Sequence, residues 1–197
     1  MIPIYKPYLP KHSLKYAHDA IDSTWISSKG IYIEQAKEYL EDFFNVNYVQ
    51  LVNSGTSATH LLARALLYKH PEIKNLIVPN NVYIAAWNPF VHEGFNLIPI
   101  DADIDTWNFN IDLLPDNIPE DTAVLVVHNL GNIINVSELK EKYNTIVFVE
   151  DNCEGFGGRY GNQYSGTDSL ASSLSFFGNK NITSGEGGAF LTNDEEL

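Results

Sequence analysis

Three short stretches carry side chains that could do chemistry, and each follows an apolar run. In "LSFFGNKNITSGEGG" (174 to 188) a single lysine, Lys180, comes after a strand-like segment and before Gly185, Gly187 and Gly188. An amine placed there can form a Schiff base with an aldehyde, and the glycines let the backbone pass close to a bulky planar ligand. The plain alternative is a solvated loop lysine. In "NSGTSA" (53 to 58) Gly55 permits a tight turn. Thr56 and Ser57 add hydroxyls and amides at a helix start, where the dipole favours an anion such as phosphate. An ordinary capped strand-to-helix turn looks the same. In "FVEDNCEG" (148 to 155) the acids are Glu150, Asp151 and Glu154. Ligands of open α/β sheets bind at the carboxyl ends of strands, so an acid there can pair with a cationic ring nitrogen or a metal, or merely cap a helix.

Positioning these groups needs a sheet, and the chain supplies strands at regular intervals. The runs are "YVQLV" (48 to 52), "LIVP" (76 to 79), "NLIPI" (96 to 100), "AVLVVH" (123 to 128), "TIVFVED" (145 to 151), "LSFF" (174 to 177) and "AFLT" (189 to 192). Several are apolar without alternation, as strands buried on both faces are. Between them, residues 56 to 70 place Ala58, Leu61, Leu62, Ala65 and Leu66 on one helical stripe, and 135 to 143 begin with a cap at Asn135 or Ser137. Two further helices, 13 to 23 and 33 to 44, precede the first strand and are joined by "TWISSKG". Alternating strands and helices predict an α/β three-layer sandwich around a mostly parallel seven-stranded sheet.

Composition narrows the partners. The chain has 197 residues, 44% of them hydrophobic, enough for one large domain with a proper core. Its formal charge of −13 repels nucleic acid and anionic membrane surfaces. An anionic ligand therefore needs a local site. The apolar runs are far shorter than the ~20 residues of a membrane span. A single cysteine, Cys153, excludes an internal disulfide, and with no secretory pattern at the N-terminus a cytoplasmic location is expected. No metal site is expected: the histidines show no ligand-like spacing, and "DADIDTWNFNID" (101 to 112) has Thr106 and Asp112 where a calcium loop needs Gly and Glu.

Together, an anion cradle at Gly55, an acid at Asp151, a serine at Ser175 and an amine at Lys180 all fall at or just past strand ends. Pyridoxal phosphate requires such a set: a phosphate anchor, a carboxylate for the pyridine nitrogen, an aromatic face and a lysine for the aldehyde.

The stretches "IP" (2 to 3), "WISSKG", "NSGTSATHL", "IVPNNVYIAA", "PIDADIDTWN", "VHNLGN", "VEDNCEGFGGRYGN" and "SFFGNKNITSGEGGAFLTND" cover nearly the whole chain. In combination they resemble the DegT/DnrJ/StrS sugar aminotransferases, fold-type I pyridoxal phosphate enzymes. "GNK" followed by "GEGG" is most similar to the branch that makes 4-amino-4,6-dideoxyhexoses such as perosamine or viosamine.

The resemblance implies that Lys180 binds the cofactor aldehyde and then shuttles a proton, and that Asp151 keeps the pyridine nitrogen protonated. It places Glu154 near the ring hydroxyl and Tyr83 on the ring face. Thr56, Ser57 and Ser175 would bind the phosphate, with Gly55 shaping the turn. The implied partners are glutamate and a nucleotide-linked 4-keto-6-deoxyhexose. A dehydratase branch has histidine at the lysine position, so Lys180 argues for transamination.

Family members run to about twice this length and work as homodimers. Residues 1 to 197, including the helical segment 1 to 47, would thus be the large cofactor-binding domain, with a small C-terminal domain absent. The alternative is a non-catalytic cofactor-binding stub, or a half-enzyme needing a partner chain. "NLGNIINVSELK" departs from relatives that carry a proline and an acid after the glycine, which leaves His128 without a role.

Overall fold

The computed structural model describes residues 1, 3 and 6–197. Ile2 of the opening "IP" motif lies outside the described residues. The first helices are α1 (Lys11–Asp22) and α2 (Ile31–Phe44). Then come β1 (Tyr48–Val52), α3 (Gly55–Lys69), β2 (Asn75–Pro79), α4 (Asn88–His92), β3 (Asn96–Ile100), β4 (Thr122–Val127) and α5 (Val136–Lys142). The chain continues through β5 (Phe148–Asp151), a small hairpin of β6 (Arg159–Tyr160) and β7 (Gln163–Tyr164), β8 (Ala171–Ser175) and β9 (Gly188–Thr192).

Seven strands form one sheet in the order β1-β9-β8-β5-β4-β2-β3. β2, β3, β4, β5 and β8 pair in parallel, whereas β9 runs antiparallel to both its neighbours, β1 and β8. The expected mostly parallel seven-stranded sheet is present, and β9 is its one reversed strand. Strand alternation sorts the core onto two faces. Ala123, Leu125, Val149 and Phe190 meet Leu62 and Leu66 of α3. Val124, Val126 and Phe148 meet Val136 and Leu139 of α5. Leu174, Ala189 and Leu191, on the α5 side by register, meet Leu40 and Phe44 of α2.

Burying one such leucine stabilises the fold by about 1.5–3 kcal/mol, so the layers hold through this packing. Leu61 departs from the expected stripe and is exposed, because α3 turns only its 58, 62, 65 and 66 side to the sheet. The cap of α5 is Asn135, whose side chain accepts the Glu138 amide. β8 lies earlier than the 174 to 177 run suggested, because Phe176 leaves the sheet to start the lysine loop.

Candidate active site

The parallel strands β4, β5 and β8 end on the same side of the sheet, and α3 starts beside them. Ser54, in extended conformation, caps α3: its hydroxyl accepts the Ser57 amide at 3.1 Å. The first-turn amides of Gly55 and Thr56 are those that a helix leaves without an internal partner. Gly55 is forced by contact, since a β-carbon there would lie 2.6 Å from Ser175 Cβ and 3.2 Å from Cys153 Sγ. Its absence lets the helix start press onto the ends of β5 and β8.

Lys180 sits on the loop between β8 and β9. That loop is closed at its base, where Phe176 donates to the Gly187 carbonyl at 2.9 Å and Ser184 to the Phe176 carbonyl at 3.1 Å. Gly185 at φ +89° and Gly187 at φ +130° occupy backbone that side chains rarely adopt, which explains the glycines after the lysine. Lys180 Nζ lies 3.3 Å from Glu154 Oε1, and the other Glu154 oxygen accepts the Leu130 amide at 2.7 Å.

Asp151 ends β5 with its carboxylate buried on the α3 face and accepts the Cys153 amide at 2.9 Å. Burial pushes its carboxyl up from the ordinary range, against the opposing bonds from Cys153 and the charge of Lys180. A carboxylate in that position is incompletely compensated and favours an incoming cation.

These elements enclose a cavity of about 540 Å³. Gly55, Thr56 and Ser175 line one part of it, with Asp151, Glu154 and Lys180 in the same wall set and Tyr83, 76% exposed, also on the lining. Ser57 is not brought to this wall. Its hydroxyl donates to Asn53 Oδ1 at 2.7 Å, one helical turn back, and is held there by Ser54 as well. Thr59, Asn129 and Cys153 also line the cavity and were not singled out in the sequence. Thr59 was within reach of pattern reading, four residues after Gly55 and so on the same helix face. The calcium-like stretch spends its acids locally: Asp103 accepts the Thr106 amide and Asp101 the Asn80 side chain.

The arrangement can hold an anion at a helix start, a cationic ring beside a buried acid, and a carbonyl at an amine. Such a set of groups suits one anionic ligand that carries both a cationic ring and a carbonyl. The chain belongs to the DegT/DnrJ/EryC1/StrS aminotransferase family, whose model matches residues 7–197.

It is 37% identical over 199 residues to a GDP-perosamine synthase of Escherichia coli O157:H7, covering 100% of this chain and 54% of the relative. It is 33% identical over 175 residues to a GDP-4-keto-6-deoxy-D-mannose 3-dehydratase of Escherichia coli O55:H7, covering 85% and 45%. Among solved structures, an E. coli GDP-4-keto-6-deoxy-D-mannose-3-dehydratase with bound hydrated PLP superposes with a TM-score of 0.92 at 30% identity, covering 100% of this chain and 52% of that one. The chain spans about half the length of the curated relatives it matches.

Proposed function

We propose that residues 1 to 197 form the large, cofactor-holding domain of a pyridoxal-phosphate-dependent aminotransferase. It moves an amino group from glutamate to the 4-keto carbon of a nucleotide-linked 4-keto-6-deoxyhexose. The observation that carries this reading is convergence: Lys180, Asp151 and the start of α3 open into one cavity of about 540 Å³. The match to the aminotransferase family and to GDP-perosamine synthases supports catalysis over a stub that only binds the cofactor.

Pyridoxal phosphate, when bound, supplies an aldehyde that exchanges amines and a ring that draws electrons from the reacting carbon. The residues of this chain fit it part by part. The Gly55 and Thr56 amides, with the hydroxyls of Thr56 and Ser175, hold the phosphate. Ser57 makes no direct contact in this reading. Asp151 keeps the proton on the pyridine nitrogen, and that cation completes its buried carboxylate. Tyr83, on the cavity lining, would offer its ring face to the cofactor, and Glu154, paired with Lys180, would serve the ring hydroxyl. Lys180 would hold the aldehyde, and its amine would be the group that moves a proton from the amino donor.

The relatives named for perosamine synthesis and for a GDP-linked keto-sugar support a nucleotide-linked sugar as acceptor. We further propose that the working form is a homodimer and that it acts in the cytoplasm. Among the described residues, no helix is long and apolar enough to cross a membrane. The test is a half-reaction: with cofactor and glutamate, the protein should release one 2-oxoglutarate per loaded site. Cofactor bound through Lys180 without any release would leave the binding-only reading standing.

A further inference from the structure

One buried ionisable pair lies outside the cavity. His128 and Glu150 are 0% and 1% exposed and sit on the α5 face, directly beneath the strand ends. Three donors converge on the two Glu150 oxygens: His128 Nε2–H and the Gly166 amide, each at 2.8 Å, and the Asp168 amide at 3.3 Å. The Ile134 amide donates to His128 Nδ1 at 3.2 Å, which assigns the ring proton to Nε2, aimed at Glu150.

The pair reaches the cavity through the backbone that follows His128. The His128 amide donates to the Asp151 carbonyl at 3.2 Å, and the Gly131 amide to the His128 carbonyl at 3.2 Å. The turn so closed holds Leu130 at φ +54°, an uncommon conformation for a leucine, and Gly131 at φ +80°. Asn129 braces it from the other side, donating to the Trp107 carbonyl at 2.9 Å. From this turn the Leu130 amide holds Glu154 at 2.7 Å, and Glu154 in turn meets Lys180.

We infer that His128 and Glu150 are positioning residues, a buried anchor that sets the 129 to 131 turn so that Leu130 presents Glu154 to Lys180. This rests on the reading of Lys180 as the cofactor lysine. Neither His128 nor Glu150 lines the cavity, so their effect reaches it through the backbone of the turn and through Glu154.

Glu150→Gln tests it, because an amide offers one acceptor oxygen to three converging donors and leaves at least one facing its NH2 group. Hydrogen exchange on the cofactor-free protein should show the Leu130 amide exchanging roughly 10–100-fold faster, as loss of a charge-assisted bond would allow. The amides of α3 should keep their rates. In the loaded protein, the lysine-dependent absorption band should shift or weaken, since Glu154 is the carboxylate that meets that lysine. If either readout stays put while the variant remains folded, the inference fails and the pair only stabilises the core.

Should Glu150→Gln not fold, Leu130 exchange in His128→Asn serves instead. Its shorter side chain can take the Ile134 amide but leaves Glu150 unbridged. His128→Gln, which still offers Glu150 a donor, should restore most of the protection. An unmodified protein with no lysine-dependent band would sink the cofactor reading, while the exchange arm still decides the anchor.

Discussion

Glu150 and Asp151 are chain neighbours at the end of one strand, both buried, and they meet opposite fates. Glu150 faces α5 among three donors; burial alone would lift its carboxyl, yet the His128 and Gly166 bonds prevail and hold it below the usual range. Asp151 faces α3 with the Cys153 amide and the more distant charge of Lys180, and burial prevails, raising it. The same residue chemistry is thus spent on structure on one face and left partly unpaid on the other. A buried acid with its donors satisfied is a fixture, whereas one left short marks where a cationic ligand belongs.

The comparison can be broken most severely at its cavity side. Lys180→Ala should lower amino transfer from glutamate by about 10²–10⁴-fold, the range for a lost proton-transfer group, read as 2-oxoglutarate release. Asp151→Asn should weaken cofactor binding by about 10–100-fold, equivalent to one charge-assisted bond, in a fluorescence titration. The same variant should make the cofactor-free protein more stable at neutral pH, with the melting midpoint rising about 2–4 °C for each kcal/mol of relief. The sign follows from the raised carboxyl: its contribution to stability is present below the unfolded-state range and is lost as pH rises through the folded value. The gain in Asp151→Asn should therefore vanish on acidification.

Glu150→Gln should behave in the mirror sense. Its carboxyl is lowered, so the stability it contributes is present above the unfolded-state range and is lost as pH falls through the folded value. The variant should cost about 1–3 kcal/mol at neutral pH, the penalty of a buried donor left unpaired, and progressively less in acid. Melting curves of both variants across pH check the opposition directly: parallel slopes would erase the distinction between the two faces.

Gly55→Ala, with its β-carbon 2.6 Å from Ser175 Cβ, should cost about 1–3 kcal/mol by overpacking and loosen the phosphate cradle with it. The smallest effect belongs to Ser57→Ala. With its hydroxyl held by Asn53, cofactor affinity should change less than twofold, within the ~0.5 kcal/mol of a substitution away from key contacts. Thr56→Ala should do more.

Much of this was readable from residues, and the failures have physical causes. The strands were legible because apolar runs such as 123 to 127 leave little room for polar positions, although β5 begins only at Phe148, three residues into the expected 145 to 151 run. The reversal of β9 was also in principle legible. No helix fits the glycine-rich segment 176 to 187, and parallel neighbours need a crossover that such a segment cannot supply. The engagement of the Ser57 hydroxyl was not legible, because Asn53 becomes its neighbour only once α3 has formed. The His128–Glu150 pair was beyond pattern reading: the two are 22 residues apart and meet across β4 and β5. Sequence spacing cannot reveal a bond set by strand register.

The central claim is that Lys180 and Asp151 face one ligand. It is tested most directly by titrating pyridoxal phosphate into the protein and into Lys180→Ala and following the visible absorption spectrum. A saturable band that requires Lys180, and whose half-saturation rises about 10–100-fold in Asp151→Asn, is the predicted result. Identical spectra for the protein and Lys180→Ala would contradict it.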